Sequence, residues 1–309
     1  MEIPNRFTRL PQDLEKKATD LDSLFTELYH TGRFNGNVLA AEKGRVFFHR
    51  SFGYADMEQE IPLTPNSIFD IGSISKQFTA AAIMLLEQER ALNYDDYACT
   101  YLPEIPYKDI TIRHLLTHTS GLPDYVDFSN VEYDPEKQFT NRYIIDLLLQ
   151  QNPILNFTPG DNWSYSNLGY LLLAQIVQNI SGKSLHDYLK LNLFEPAGMN
   201  YTAHKDNINE SMESFRTKGY IFYLPTQGPE VAVELPDPEI NYPARNATAG
   251  PAWINSCTID LYLWDRMLYT EKILTNANLE QAFAQIILNN GEAYDYGFGW
   301  FCYRDNDDN

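Results

Sequence analysis

The chain has 309 residues, of which 44% are hydrophobic, 14% aromatic and 21% charged. This composition is typical of a folded globular protein with one large domain or two smaller ones, and it argues against disorder. The formal net charge of −19 would repel nucleic acid and anionic membrane surfaces, and no apolar run is long enough for a membrane span, so we expect neither as a partner.

Cysteine and histidine usage gives no indication of a metal site, and no cofactor is expected. The three cysteines form no CxxC pair and the six histidines are scattered. Three cysteines allow at most one disulfide, and we interpret them as buried free thiols. The N-terminal residues lack the apolar segment of a signal peptide. We therefore expect the protein to be cytoplasmic or to begin after a removed signal.

The first predicted elements are a helix and a β-hairpin. Apolar residues recur with helical spacing over residues 10–30. Two apolar strands then flank Lys43 and Gly44, and a glycine at this position suits a tight turn. A short strand or loop at residues 68–72 leads to an apolar helix that starts at Ser73.

The middle of the chain is predominantly helical by pattern. Short helices are predicted within 92–160, and longer ones near 167–180 and 184–193. Residues 205–246 are polar and rich in proline, which predicts a loop. The remaining patterns predict a helix over 256–269 and a strand over 294–305.

The order of strands, then helices, then a strand predicts an α+β fold, in which an antiparallel sheet is flanked by helices and carries an inserted, mainly helical region. We assign residues 1–95 and 247–309 to the sheet part and 96–246 to the helical part. The two parts would form one catalytic unit with its site between them.

Ser73 and Lys76 lie one helical turn apart at the start of the second long helix. A serine hydroxyl needs a base to become a nucleophile, and a lysine three residues later lies on the same helix face. Because lysine has an ordinary pKa of about 10.4, it must be desolvated or lie near other cations to accept a proton at neutral pH. The alternative is a capping serine and a surface lysine, since this spacing occurs about once by chance in a chain of this length.

A second motif, Tyr165-Ser166-Asn167, directly precedes a predicted helix and is the only Tyr-x-Asn among the 21 tyrosines. A phenol that faces Ser73 could relay protons between the serine and a leaving group. The amide of Asn167 could bind a substrate carbonyl or hold the lysine. The alternative is a packed tyrosine and an asparagine that caps the helix.

Taken together, these residues resemble the β-lactamase-related serine hydrolases, which include class C β-lactamases, D-Ala-D-Ala carboxypeptidases and related esterases. Several stretches are similar in the right order over about residues 10–300, among them GNVLAAEKGRVFFHRSFGYAD, SIFDIGSISKQFTA, ITIRHLLTHTSGLPDY, TPGDNWSYSNLGYLLLAQIV, GPAWINSCTIDLYLW and YGFGW. The resemblance implies a β-lactamase/transpeptidase-like fold and an enzyme that forms an acyl-enzyme.

The resemblance also implies roles for the motif residues. Ser73 would be the acylated nucleophile, and its backbone N–H would form half of the oxyanion hole. Lys76 would activate it, Tyr165 would be a general base or proton shuttle, and Asn167 would bind substrate. The spacing leaves open whether Lys76 or Tyr165 takes the serine proton.

The substrate implied by the resemblance is a small molecule or peptide. A D-Ala-D-Ala carboxypeptidase or esterase-like activity is the leading hypothesis. The alternatives are a class C-type β-lactamase and an inactive ligand-binding member. A family member of this kind would be periplasmic or secreted if a signal has been removed.

The sequence departs from the family pattern in its third motif, a Lys-Thr-Gly or His-x-Gly that normally follows the Tyr-Gly-x-Gly-Trp stretch. Here that stretch spans 296–300, and no such motif occurs between residues 168 and 309. His30-Thr31-Gly32 occurs too early and closes the first predicted helix. We therefore expect a missing C-terminal segment or a second chain, with C-terminal strands absent and one oxyanion donor unassigned, in preference to a divergent inactive protein.

Overall fold

The computed structural model describes residues 10–125, 140–223, 231–233 and 248–303. The α-helices of this part are α1 (Gln12–His30), α2 (Ser75–Gln88), α3 (Ile112–Leu116), α4 (Asn141–Gln151), α5 (Asn167–Ser181), α6 (Leu185–Leu189), α7 (Glu195–Ala197), α8 (Glu210–Glu213), α9 (Thr258–Leu268) and α10 (Asn276–Ala282). The strands are β1 (Gly36–Glu42), β2 (Arg45–Phe52), β3 (Tyr54–Asp56), β4 (Ile61–Pro62), β5 (Phe69–Asp70), β6 (Ala203–His204), β7 (Ile221–Tyr223), β8 (Val231–Val233), β9 (Ile254–Ser256), β10 (Ile286–Ile287) and β11 (Ala293–Tyr294).

The predicted N-terminal helix and hairpin are confirmed. Strand β1 pairs antiparallel with β2, and Glu42 lies opposite Arg45 at the turn. Lys43 and Gly44 both have left-handed φ angles, of 51° and 74°, as the favoured two-residue hairpin turn requires. Helix α1 packs against β2 and α9 packs against β1. In the described residues, β1 and β2 pair only with each other.

A short three-stranded sheet brings distant segments to the start of α2. Its order is β5-β9-β6, and both pairs are antiparallel. Phe69 of β5 lies opposite Ser256 of β9, and Ala203 of β6 lies opposite Asn255. The segment that leads into Ser73 is therefore fixed against β9.

Helix α2 lies at the centre of the core. Its residues from Phe78 to Leu86 are all buried, in agreement with its nearly uninterrupted apolar sequence. It packs against α5 and α6, and α5 is similarly buried from Leu168 to Ala174. The helices and sheets together confirm the α+β fold.

Two predicted elements differ from the structure. The helix predicted from Ser73 begins as a 3-10 turn, Gly72–Ile74, and becomes α-helical at Ser75. The strand predicted over 294–305 is wrong beyond Tyr294 in its described part, because residues 296–301 fold back in a tight turn in which the Gly297 N–H bonds to the Trp300 carbonyl at 2.9 Å, and its last two residues lie outside the described residues. Glycines allow this reversal, while the aromatic residues around them suggested a strand.

The remaining predictions have mixed outcomes. The cysteines, Cys99, Cys257 and Cys302, are all free, but Cys257 alone is fully buried. The assignment of 1–95 and 247–309 to one part and 96–246 to another stays a prediction, and its second boundary lies outside the described residues. So does part of the predicted 205–246 loop, although 205–223 includes α8 and β7. None of the described helices is long and apolar enough to cross a membrane.

Gly250 occupies a position that other residues cannot adopt without strain. Its φ is +114°, and a Cβ built on it would overlap the Tyr170 carbonyl oxygen and approach the Ala174 Cβ to 2.9 Å. Its own carbonyl accepts a hydrogen bond from Thr79 Oγ1 at 2.8 Å. The backbone at Gly250 is therefore closely packed between α2 and α5.

We expect Gly250→Ala to lower the free energy of unfolding by roughly 2–5 kcal/mol, because backbone strain and overlap add. Gly182→Ala is the matched control, since Gly182 also has a left-handed φ, of +69°, but a Cβ there meets nothing within 4 Å. The control should lose about 1–2 kcal/mol. Urea unfolding of both variants measures the difference, and equal losses would show that the segment moves aside freely.

Candidate active site

Ser73 lies at an accessible edge of the core, on the 3-10 turn that precedes α2. Its side chain is exposed. The turn is held by the Ile71 N–H, which donates to the Ile254 carbonyl at 3.0 Å, and by Asp70 Oδ1, which accepts from the Gly72 N–H at 2.8 Å. The free N–H groups at the start of α2 favour negative charge here. No side-chain cap is present at this helix start, so the capping alternative for Ser73 is wrong.

Lys76 is buried beside Ser73, with 1% of its surface exposed. Its Nζ donates to Ser73 Oγ at 3.2 Å, to Asn167 Oδ1 at 2.8 Å and to the Pro251 carbonyl at 2.9 Å. An ammonium has three donors, and each has an acceptor. The alternative of a surface lysine is therefore wrong.

Burial lowers the pKa of Lys76 from 10.5 to about 7, and the negative charge of Asp124 partly opposes this shift. The Nζ atom also lies 4.6 Å from the ring centroid of Tyr165 and 5.6 Å from that of Tyr170, distances at which an aromatic face attracts a cation. The amine can therefore gain or lose a proton near neutral pH while it contacts Ser73.

Tyr165, from the Tyr165-Ser166-Asn167 motif, interacts with the same serine. Burial raises the pKa of Tyr165 above its ordinary value of 10.0, and a hydrogen bond to Ser73 works in the opposite direction. The Ser73 hydroxyl thus lies 3.2 Å from the amine of Lys76 and is near enough to Tyr165 to affect its pKa. A hydroxyl at a helix start beside an amine that can accept its proton is an arrangement suited to nucleophilic catalysis.

Asn167 is the first residue of α5 and connects Lys76 to a carboxylate. Its Oδ1 accepts from Lys76, while its Nδ2 and its backbone N–H both donate to Asp124 Oδ2, at 2.8 and 3.0 Å. Asn167 makes no capping bond to its own helix, so that alternative is also wrong. Of its two proposed uses, contact with the lysine is present in this structure.

Ser75 does not share the environment of Ser73. It is fully buried, and its Oγ accepts a hydrogen bond from the Ile254 N–H at 3.1 Å. This bond joins α2 to β9, and β9 follows directly after the segment that supplies the Pro251 carbonyl. Ser75 therefore has a structural position, and it lies away from the exposed face of Ser73.

His118 and Asp124 belong to the site region, but sequence patterns assigned neither. The imidazole of His118 lies 4.4 Å from the Tyr165 ring, centroid to centroid, and its Nδ1 accepts from the Ser166 N–H at 3.2 Å. Its Nε2 lies 3.1 Å from the Tyr296 hydroxyl. Both residues fall within ITIRHLLTHTSGLPDY, which supported the family resemblance, but their partners are more than forty residues away, and no local spacing reveals them.

His118 is 1% exposed, and burial together with the nearby Lys76 charge lowers its pKa well below 6.5. A neutral ring that accepts at Nδ1 carries its proton on Nε2 and donates to Tyr296. Among the described residues, no group of three His, Cys, Asp or Glu side chains could hold a metal ion.

Comparisons with known proteins give matches over most of the chain. The family model described as Beta-lactamase matches residues 21–308. Penicillin-binding protein 4* of Bacillus subtilis (strain 168) is 41% identical over 288 residues, which are 93% of this chain and 63% of that protein. The chain therefore spans less than two thirds of that relative's length.

Two solved structures are similar over most of the chain. The octameric penicillin-binding protein homologue from Pyrococcus abyssi has a TM-score of 0.72 and 27% identity, and the match covers 91% of this chain and 64% of that one. A penicillin-binding protein from Bacillus halodurans has a TM-score of 0.70 and 25% identity, with coverage of 89% and 82%.

The lowered pKa of Lys76 predicts a pH-dependent contribution to stability. Between about pH 7 and 10.5 the unfolded chain holds a proton on Lys76 that the folded protein does not, so the free energy of unfolding should rise with pH by up to about 1.4 kcal/mol per unit. Lys76→Met should lack this rise. Urea unfolding at several pH values across this window measures it.

The exposed Lys183 provides the control for loss of a lysine charge, as Lys183→Met. We expect this variant to keep the pH dependence of the wild type. A constant difference between wild type and Lys76→Met across the window would contradict the lowered pKa of Lys76.

Proposed function

This chain belongs to the beta-lactamase family, and on that basis we propose that it is a serine hydrolase that acts on an amide, peptide, ester or β-lactam carbonyl through an acyl-enzyme at Ser73. The observation that carries the proposal is the 3.2 Å contact between Ser73 Oγ and the buried Lys76 Nζ, an amine whose pKa is about 7. Asn167 and Tyr165 complete the arrangement.

In the first step, Ser73 Oγ attacks the carbonyl carbon and its proton passes to neutral Lys76. We assign this role to Lys76 because a large share of an amine with a pKa of about 7 is neutral at pH 7. Burial raises the pKa of Tyr165, so its phenolate is rare at that pH. The oxyanion of the tetrahedral intermediate would accept a hydrogen bond from the Ser73 N–H.

In the second step, the intermediate collapses and the bond to the leaving group breaks. Tyr165, whose ring lies 4.6 Å from Lys76 Nζ and whose pKa is affected by Ser73, would donate the proton that the departing nitrogen or oxygen needs, and Lys76 would return its proton to the tyrosine. Water then attacks the Ser73 ester, with the same two groups acting in reverse, and regenerates the free hydroxyl. All protons are exchanged between substrate, water and these side chains.

For the substrate class, we propose a D-Ala-D-Ala carboxypeptidase or esterase-like activity, in which Asn167 and Tyr165 orient the acyl group. The support is that the relative with 41% identity is named a penicillin-binding protein. A class C-type β-lactamase would use the same residues but would release the β-lactam acyl group rapidly. Stable acylation by penicillin with turnover of an ester or peptide favours the first activity.

We expect incubation with a penicillin to increase the mass of the protein by one penicillin per chain, with the label on Ser73. Ser73→Ala should abolish the label, because the attacking oxygen is removed. Ser75→Ala is the matched control two residues away and should keep the label, although it leaves the buried Ile254 N–H without its acceptor. Intact-protein and peptide mass spectrometry measure both, and a label that persists in Ser73→Ala would disprove the assignment.

We expect Tyr165→Phe to fold normally and to lose roughly 10²–10⁴-fold in turnover of a chromogenic ester, because a positioned acid–base group contributes about that much. Tyr107→Phe is a control, since it also removes a tyrosine hydroxyl, here one that donates to the Pro153 carbonyl at 2.8 Å. Steady-state kinetics compare the two variants. Wild-type turnover in Tyr165→Phe would mean that this tyrosine only packs.

A further inference from the structure

Asn167 lies between Lys76 and Asp124 and is hydrogen-bonded to both. Asp124 Oδ2 accepts the Asn167 backbone N–H at 3.0 Å and the Asn167 side-chain Nδ2 at 2.8 Å. Asn167 Oδ1 in turn accepts from Lys76 Nζ at 2.8 Å, and that Nζ lies 3.2 Å from Ser73 Oγ. A continuous chain of hydrogen bonds therefore runs from the Asp124 carboxylate to the Ser73 hydroxyl.

The two partners of the Asn167 amide, Asp124 and Lys76, determine how the amide is oriented. With Nδ2 toward Asp124 and Oδ1 toward Lys76, each donor meets an acceptor. A flipped amide would place its NH₂ group against the lysine donors and its oxygen against the carboxylate, so both contacts would be lost. The carboxylate at Asp124 thus selects the amide orientation that gives Lys76 an acceptor.

We propose that Asp124 is a positioning residue for acylation, which fixes the Asn167 amide so that this amide holds Lys76 against Ser73. The inference rests on the proposed function, in which Lys76 is the base. Asp124 acts through Asn167. Its bond to the Asn167 N–H also satisfies a free donor at the start of α5, so a role limited to helix capping is the competing outcome.

The charge of Asp124 has a second consequence that helix capping alone would not produce. Its attraction for the ammonium raises the pKa of Lys76 against the larger effect of burial. Among the described residues, the other titratable groups that face Lys76 are Tyr165 and Tyr170, which present their rings, and His118, which is held neutral by burial. Loss of the Asp124 charge should therefore move the titration of Lys76 to lower pH.

The test compares Asp124→Asn and Asp124→Ala by ester turnover as a function of pH. Asp124→Asn keeps an oxygen that can accept from Asn167 but removes the charge, so we expect kcat/KM to fall about tenfold and its acidic limb to move to lower pH. Asp124→Ala also frees the amide, and its kcat should fall about 100-fold with a smaller change in KM. Asp146→Asn, at an exposed carboxylate paired with Arg142 on α4, controls for the change in net charge and should match the wild type.

A second readout does not depend on turnover. In Asp124→Asn, the pH-dependent rise in the free energy of unfolding that Lys76 causes should begin at lower pH than in the wild type. A shift in this window shows that the Asp124 charge acts on Lys76 even if the ester and penicillin tests contradict the proposed function, so failure of one can be distinguished from failure of the other. Loss of stability that is equal at every pH, with the acidic limb of kcat/KM unchanged, would overturn the proposal and leave Asp124 as a helix cap.

Discussion

Burial of the Lys76 amine is the constraint on which the arrangement of the site depends. An ammonium removed from water is costly unless each donor finds an acceptor, and the three acceptors come from the turn before α2, from the start of α5 and from the segment before β9. These elements must therefore meet at one point for the chain to fold with this lysine inside. The same burial lowers the pKa of Lys76 to about 7, so one physical cause explains a structural requirement and a chemical property.

The segment 250–254 shows how closely fold and site are connected. The Gly250 carbonyl bonds to Thr79, the Pro251 carbonyl bonds to Lys76, and the Ile254 N–H bonds to Ser75, so three residues of this segment are fixed to the first two turns of α2. These bonds hold the segment against the helix. Because the same contacts hold the lysine and the core, a change that loosens this segment would affect stability and acylation together.

Sequence patterns predicted the parts of the site that are local and missed the parts that are not. Ser73 and Lys76 are one turn apart, and Tyr165 and Asn167 are two residues apart, so spacing alone could suggest them. Asp124 is 43 residues from its partner Asn167 in the sequence, and the Pro251 carbonyl is 175 residues from Lys76. A carbonyl has no signature in the sequence, and an aspartate in a loop is an ordinary surface residue until its partners are known. The α+β fold and the turn at Lys43-Gly44 were predictable because periodicity and turn chemistry are also local, whereas the glycine-based reversal after Asp295 was not.

The two serines at the start of α2 have different environments. Both precede the same apolar helix, yet Ser73 is exposed on a 3-10 turn and Ser75 is fully buried against β9. The change from 3-10 to α geometry occurs between them, and one hydroxyl faces solvent and Lys76 while the other lies in the core. Residues two apart lie on different faces of a helix, and only Ser73, on the turn held by Asp70 and the β9 contact, is exposed for reaction.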